Sequence, residues 1–213
     1  MAKSVSRLKH RPARPISIQG GTAYIQGFET ESFLEIVMPD TIEIDLRSFI
    51  RDIPDFPKPG ILFRDITPLL ASADAFKETI RRMCLPFRDR GIDVIVGAEA
   101  RGFIFATPMA MELDVGFVPV RKPGKLPGAT HSHSYALEYG EDSLEIHIDD
   151  IKPGQRVLVV DDLLATGGTI DACCKLIEKT GAQVEACAFL IELLGLGGGE
   201  RIAPREKFVL LEY

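Results

Sequence analysis

Short aliphatic segments alternate with helical patterns along most of the chain. Four of these segments are typical of strands that are buried on both faces of a sheet: residues 93–97, 115–120, 157–160 and 183–191. Three stretches place apolar side chains at helical spacing: residues 74–88, 101–113 and 170–177. This alternation predicts an α/β fold with a doubly wound, mainly parallel sheet, to which residues 208–211 add a terminal strand.

The alternation of aliphatic strands and amphipathic helices does not extend to the residues before 70 or to those near 140. Residues 45–51 predict a short amphipathic helix. Residues 52–63 are dense in proline and aromatic side chains, so we expect an irregular segment packed over a site and no regular element there. Residues 135–137 and 144–148 are expected to pair as an antiparallel flap.

Composition narrows the class of protein. A chain of 213 residues with 46% apolar side chains can bury the core of one good-sized domain. Its net charge of −6 argues against a general nucleic-acid-binding protein, and no apolar stretch approaches the length of a membrane span. The four cysteines show no metal-binding spacing and favour a reducing, cytoplasmic setting. We therefore expect neither a nucleic-acid nor a membrane partner.

The amino-terminal part is predicted to be separate from that domain. We expect residues 1–43 to be a poorly ordered or weakly structured extension and residues 44–213 to form the domain. Residues 1–15 carry five basic and no acidic side chains, which is typical of a solvated tail; a contact arm for nucleic acid or membrane is the alternative. We also expect Met38 to be the native start of the protein.

One segment carries most of the chemical information: VLVVDDLLATGGT, residues 157–169. Its apolar strand ends at two adjacent carboxylates, and ligands of open α/β sheets bind at such strand ends. The glycine-rich turn that follows opens a helix, so its backbone N–H groups and the helix dipole would bind a phosphate. The carboxylates would repel that phosphate, so we expect them to face ribose hydroxyls or Mg²⁺. The predicted sugar-phosphate site comprises Asp161, Asp162, Ala165, Thr166, Gly167, Gly168 and Thr169.

This segment resembles the phosphoribosyl pyrophosphate (PRPP) signature of the type I phosphoribosyltransferases. The chain from about residue 44 to residue 213 is similar to the adenine phosphoribosyltransferases within that family. Four further segments carry the similarity: residues 52–70, 97–105, 120–128 and 135–140. The resemblance implies the type I phosphoribosyltransferase fold, with a small N-terminal hood at about 44–70, a core at about 71–213 and a mobile lid loop. It also implies an Mg²⁺-dependent homodimer that makes AMP and pyrophosphate from adenine and PRPP.

The resemblance assigns roles to residues outside the signature. Arg101, in a loop that often carries a non-proline cis peptide in this family, would bind pyrophosphate. Three cations of the lid would also contact the pyrophosphate, namely Arg121, Lys122 and Lys125. Glu138 would act as a general base or orienting group at N9 of adenine, and Tyr139 would cover the reacting centre. The cis peptide is expected within residues 99–101, and the apolar helix at residues 101–113 is the candidate dimer interface.

Base selection is expected in the hood. Leu62 and Arg64 stand at the positions that contact the base in the family, and Phe63 offers apolar cover. Ala165 replaces an aspartate that serves purine N7 in 6-oxopurine transferases, which favours adenine over hypoxanthine or guanine. Two alternatives remain open at this stage: a transferase for another base, and a regulatory domain of the same fold that senses PRPP or purines.

Overall fold

The computed structural model describes residues 44–136 and 141–213, which form an α/β structure around one parallel sheet. The strands of the sheet are β3 (Val94–Ala98), β4 (Gly116–Val120), β7 (Arg156–Leu164), β8 (Gln183–Glu192) and β9 (Lys207–Glu212). They lie in the order β4-β3-β7-β8-β9, and each neighbouring pair is parallel. The helices are α1 (Thr67–Ala71), α2 (Ala73–Cys84), α3 (Gly102–Glu112), α4 (Gly168–Lys179) and α5 (Gly198–Ile202). The predicted fold class is confirmed.

The sheet is buried on both faces, as its apolar strands predict. In β7, Val157 and Val159 face the core that α4 closes, whereas Leu158 and Val160 face the core that α2 and α3 close. All four side chains are fully buried. Since helices cover both faces, the polar groups of the sheet reach a ligand only at the strand ends.

The hood is more regular than its composition predicts. Residues 52–63 were expected to be irregular, but β1 (Arg51–Pro54) and β2 (Leu62–Asp65) pair as an antiparallel hairpin. Pro54 ends β1, whereas Pro57, Pro59 and Gly60 lie in the tip, which contains the cis Phe56-Pro57 bond. Buried Asp65 fixes the base of the hairpin because it pairs with Arg51 and accepts a 2.9 Å bond from the Thr67 amide, the first residue of α1. The helix predicted at residues 45–51 is a single 3₁₀ turn, Leu46–Phe49.

A second hairpin forms an antiparallel flap, as predicted, but in a different register: residues 144–147 pair with residues 130–133. β5 (Thr130–Ala136) and β6 (Glu141–His147) are antiparallel, and β6 also makes a bridge from Glu145 to Arg121, just after β4. Its tip, residues 137–140, and the whole extension, residues 1–43, lie outside the described residues. Glu138 and Tyr139 belong to that tip, so their predicted roles stay predictions.

Among residues 44–136 and 141–213, no helix combines the length and the apolar character that a bilayer crossing requires.

Candidate active site

The predicted sugar-phosphate residues line one cavity of about 350 Å³ at the carboxyl end of β7. Arg101 lines the same cavity, because it lies in the short loop between the end of β3 and the start of α3. The cavity therefore brings together a cation, an acidic pair and a helix N-terminus from three neighbouring elements. Its lining consists of Glu99, Ala100, Arg101, Asp161, Asp162, Leu163, Leu164, Ala165, Thr166, Gly167, Gly168, Thr169 and Ile170.

The two aspartates are held differently. Asp162 is buried, and its Oδ2 accepts a bond of 2.5 Å from Nε of Arg101. Asp161 accepts a 2.9 Å bond from the backbone N–H of Asp162. Burial, and then the neighbouring Asp162 carboxylate, raise the pKa of Asp161 well above its usual range. The direct contact of Arg101 is with Asp162, so a cation or hydroxyl donors beside Asp161 would favour the charged form of that carboxyl.

The geometry of the loop that was predicted to bind phosphate suits an anion. Gly167 has φ +75°, a left-handed conformation that favours glycine, and it turns the chain from β7 into α4. No side chain caps this end of α4, and the first helical bond closes only from the Asp171 N–H to the Gly167 carbonyl. The N–H groups of the first turn are thus available at the positive end of the helix dipole.

A second glycine segment packs against this loop, and the sequence patterns above did not single it out. A Cβ at Gly198 would lie 2.2 Å from the Ala165 carbonyl oxygen, and one at Gly167 would lie 2.8 Å from the Gly198 carbonyl oxygen. The two backbones therefore touch, which only glycine permits at Gly198. The signal that could have found it is the glycine-rich run at residues 195–199.

The three lid cations pair with acidic side chains, one of which, Glu99, lines the cavity. Glu99 accepts bonds from the side chains of Arg121 and Lys125 and a 3.0 Å bond from the Lys122 amide. Lys122 extends instead to Asp142 on β6. Burial alone would raise the pKa of Glu99, but these bonds outweigh it and lower the pKa to about 2. Glu99 is therefore ionised throughout the physiological pH range and holds the base of the lid.

The loop at Glu99 also contains the predicted non-proline cis bond, between Glu99 and Ala100. The lid cations do not line the 350 Å³ cavity among the described residues, although Glu99, their common partner, does.

The hood residues lie apart from that cavity. Leu62 is 45% exposed, and Phe63 packs edge-on against Phe56 with ring centroids 5.1 Å apart. The guanidinium of Arg64 is engaged twice, by Asp52 and by the ring of Tyr213, whose centroid is 4.1 Å away. The Arg64 side chain therefore already has two partners within the chain.

Comparison with known proteins identifies the family. The phosphoribosyl transferase domain model matches residues 68–209. A curated adenine phosphoribosyltransferase from Rhodopirellula baltica is 61% identical over 170 residues, which are 80% of this chain and 82% of the relative. The chain belongs to the adenine phosphoribosyltransferase family. A crystal structure of the Thermoanaerobacter pseudethanolicus family member has a TM-score of 0.77 and 52% identity, and the match covers 79% of this chain and 98% of that one.

A further family structure carries ligands. The Saccharomyces cerevisiae enzyme, complexed with an imino-altritol bisphosphate and adenine, is 39% identical with a TM-score of 0.74. That match covers 78% of this chain and 96% of the yeast chain. The resemblance that we stated from the sequence is therefore confirmed.

Contact between the two glycine segments yields a first prediction. Gly198→Ala should raise the Kd of ribose 5-phosphate by about tenfold or more, a loss of about 1.4 kcal/mol, because the new methyl group displaces the phosphate loop. Isothermal titration calorimetry measures this change. Gly195→Ala is the matched control, since its Cβ would meet nothing within 4 Å and its φ is not positive. Wild-type affinity in Gly198→Ala would show that the contact does not shape the loop.

Proposed function

We propose that this chain transfers the 5-phosphoribosyl group of PRPP to N9 of adenine, giving AMP and pyrophosphate, a reaction of purine salvage. One observation carries the proposal: an uncapped helix N-terminus, an acidic pair and an arginine share one cavity in a chain 61% identical to a named adenine phosphoribosyltransferase. The 5-phosphate would bind the first turn of α4, through the amides and the hydroxyls of Thr166 and Thr169. Asp161 and Asp162 would accept hydrogen bonds from the ribose hydroxyls.

The donor set also fits Mg²⁺. Among the described residues, no group of three or more His, Cys, Asp or Glu side chains could hold a metal on its own. Proteins usually bind Mg²⁺ through one or two carboxylates, and oxygens of the substrate supply further ligands. Asp161 or Asp162 would hold it together with PRPP hydroxyl and phosphate oxygens. When bound, Mg²⁺ would neutralise charge on the departing pyrophosphate.

The pyrophosphate end of the substrate would be bound by cations that now have internal partners. Arg101 is paired with Asp162, Arg121 and Lys125 with Glu99, and Lys122 with Asp142. A bound polyanion offers several charged oxygens to these cations, so we infer that they exchange partners when PRPP binds. The exchange would free Asp162 for the ribose and draw the lid over the reacting bond, excluding water.

Adenine would lie under the hood. The apolar side chains of Leu62 and Phe63 would cover the ring, while main-chain N–H and C=O groups of the Leu62–Arg64 stretch would match its N1 and 6-amino group. Glu138 would accept or orient the N9 proton as N9 attacks C1′ and the C1′–pyrophosphate bond breaks, with Tyr139 above the reacting centre. Ala165 leaves N7 without a carboxylate partner, which disfavours 6-oxopurines.

Two further features complete the proposal. The four cysteines in the described residues are all buried free thiols, which fits a reducing cytoplasm. The α3 helix exposes apolar side chains, Met111 at 80% and Ile104 at 37%, and we propose that a second copy covers this face in a homodimer.

The dimer is tested by sedimentation velocity. Met111→Asp should shift the protein toward monomer, because a carboxylate would be buried at the interface. Ile148→Asp is the control, because Ile148 is also an exposed apolar residue, at 41%, but it directly follows β6 and does not belong to α3. A wild-type protein that sediments as a monomer would reject the proposal.

The reaction is tested with PRPP, Mg²⁺ and one base at a time, measuring pyrophosphate release. We expect rapid turnover with adenine and about 100-fold lower kcat/KM with hypoxanthine, guanine, xanthine or orotate. A ratio of this size corresponds to about 2.7 kcal/mol, within the cost of leaving polar groups of the site unpaired. Turnover with hypoxanthine and not adenine would overturn the base assignment. Binding of PRPP without turnover of any base would favour a sensing role.

Two substitutions separate sugar binding from chemistry. Asp162→Asn should raise KM for PRPP about tenfold by weakening contacts to the ribose hydroxyls or Mg²⁺. Glu138→Gln should lower kcat by about 10²-fold or more with little change in PRPP affinity. Steady-state kinetics and PRPP titration measure both. Tighter PRPP binding in Asp162→Asn would show that Asp162 serves chiefly to hold Arg101.

A further inference from the structure

Arg201 lies against the phosphate loop, although no sequence pattern pointed to it. It comes from α5, the short helix that begins within the glycine run, at Gly198. The position that a Cβ of Gly168 would take is 3.3 Å from one terminal guanidinium nitrogen of Arg201, 3.6 Å from the other and 3.5 Å from the central carbon. The Cβ of Arg201 is 3.3 Å from the equivalent position at Gly167. The side chain therefore runs along the glycine pair and ends beside the first residue of α4.

No carboxylate neutralises this guanidinium among the residues that the structure describes. Arg205, four residues further on, binds both Glu178 and Asp171, and Lys207 binds Glu192 through both oxygens. Arg201 forms no side-chain hydrogen bond or ion pair with a residue in the described ranges, and it is exposed to solvent. An arginine without a partner beside uncapped helix N–H groups adds positive charge where α4 already presents its positive end.

We propose that Arg201 is a binding residue for the 5-phosphate of PRPP and AMP. The guanidinium would approach the phosphate from the side while the amides of residues 167–169 hold it along the helix axis. A planar guanidinium can donate two parallel bonds to phosphate oxygens, which a lysine cannot do. The inference deepens the proposed function and rests on it, since it presumes that the 5-phosphate occupies the start of α4.

The same arrangement gives Gly168 a second role. Its lack of a side chain leaves the space that the guanidinium occupies, besides letting the phosphate approach the backbone. The glycine run of residues 197–199 then acts with Arg201: its backbone contact fixes the distance between α5 and the loop, and Arg201 supplies the charge.

The experiment compares two ligands that occupy opposite ends of the proposed site. Ribose 5-phosphate carries the 5-phosphate, whereas pyrophosphate with Mg²⁺ binds at the Arg101 end. Arg201→Ala should raise the Kd of ribose 5-phosphate and the KM for PRPP about 10- to 100-fold, as expected for a lost charge-assisted bond, and leave the Kd of pyrophosphate within about twofold. Arg201→Lys should lose less affinity than Arg201→Ala, because it keeps the charge without the two-pronged geometry.

Lys152→Ala is the charge-matched control. It removes one exposed positive charge at the other end of the sheet, before β7 begins, and should leave both affinities unchanged. Equal weakening of the two ligands by Arg201→Ala, or no weakening, would overturn the role of Arg201. Pyrophosphate binding also reports that the variant is folded. If wild-type protein neither binds ribose 5-phosphate nor converts adenine, the proposed function itself fails.

Discussion

The site depends on how firmly the end of β7 is held. Four consecutive side chains of this strand are buried between two cores, and its backbone is paired on one side with β3 and on the other with β8. A strand fixed in this way cannot slide by one residue without moving its apolar side chains out of register. Asp161, Asp162 and the start of the phosphate loop therefore take their positions from packing that lies outside the site.

The cations near this strand end are paired with carboxylates of the same chain. Arg101 rests on Asp162, and the lid cations rest on Glu99 and Asp142. Buried or half-buried charges are costly without partners, and these carboxylates supply the partners within the chain. In the proposed reaction, a substrate with more charged oxygens would replace them. Glu99 and Asp142 would then contribute to substrate binding without touching the substrate.

The sequence was sufficient to predict the parallel sheet, the glycine turn that leads into α4 and the position of the acidic pair near the end of β7. These features are local: an aliphatic run predicts a buried strand, and a glycine turn predicts the start of the helix behind it. For the hood, the sequence-based prediction was wrong. The many prolines and aromatic side chains suggested an irregular segment, but the segment forms a hairpin that Asp65 and Arg51 stabilise. The sequence did not reveal the pairing of Arg101 with Asp162 or the packing of Gly198 and Arg201 on the phosphate loop. Those contacts join residues that lie far apart in the chain, and no single-segment pattern encodes them.

The hood and the lid are attached to opposite edges of the same sheet. The lid continues from β4, the edge strand on one side, whereas the hood is tied beside β9 on the other, where Arg47 and Arg64 stack on the ring of Tyr213. Arg47 also donates a 3.0 Å bond to the Glu212 carbonyl. No strand of the sheet belongs to both attachments. If the base binds under the hood as proposed, changes there need not disturb closure over the sugar. Such a division would let evolution exchange one nucleobase for another while the machinery for the sugar donor is inherited intact.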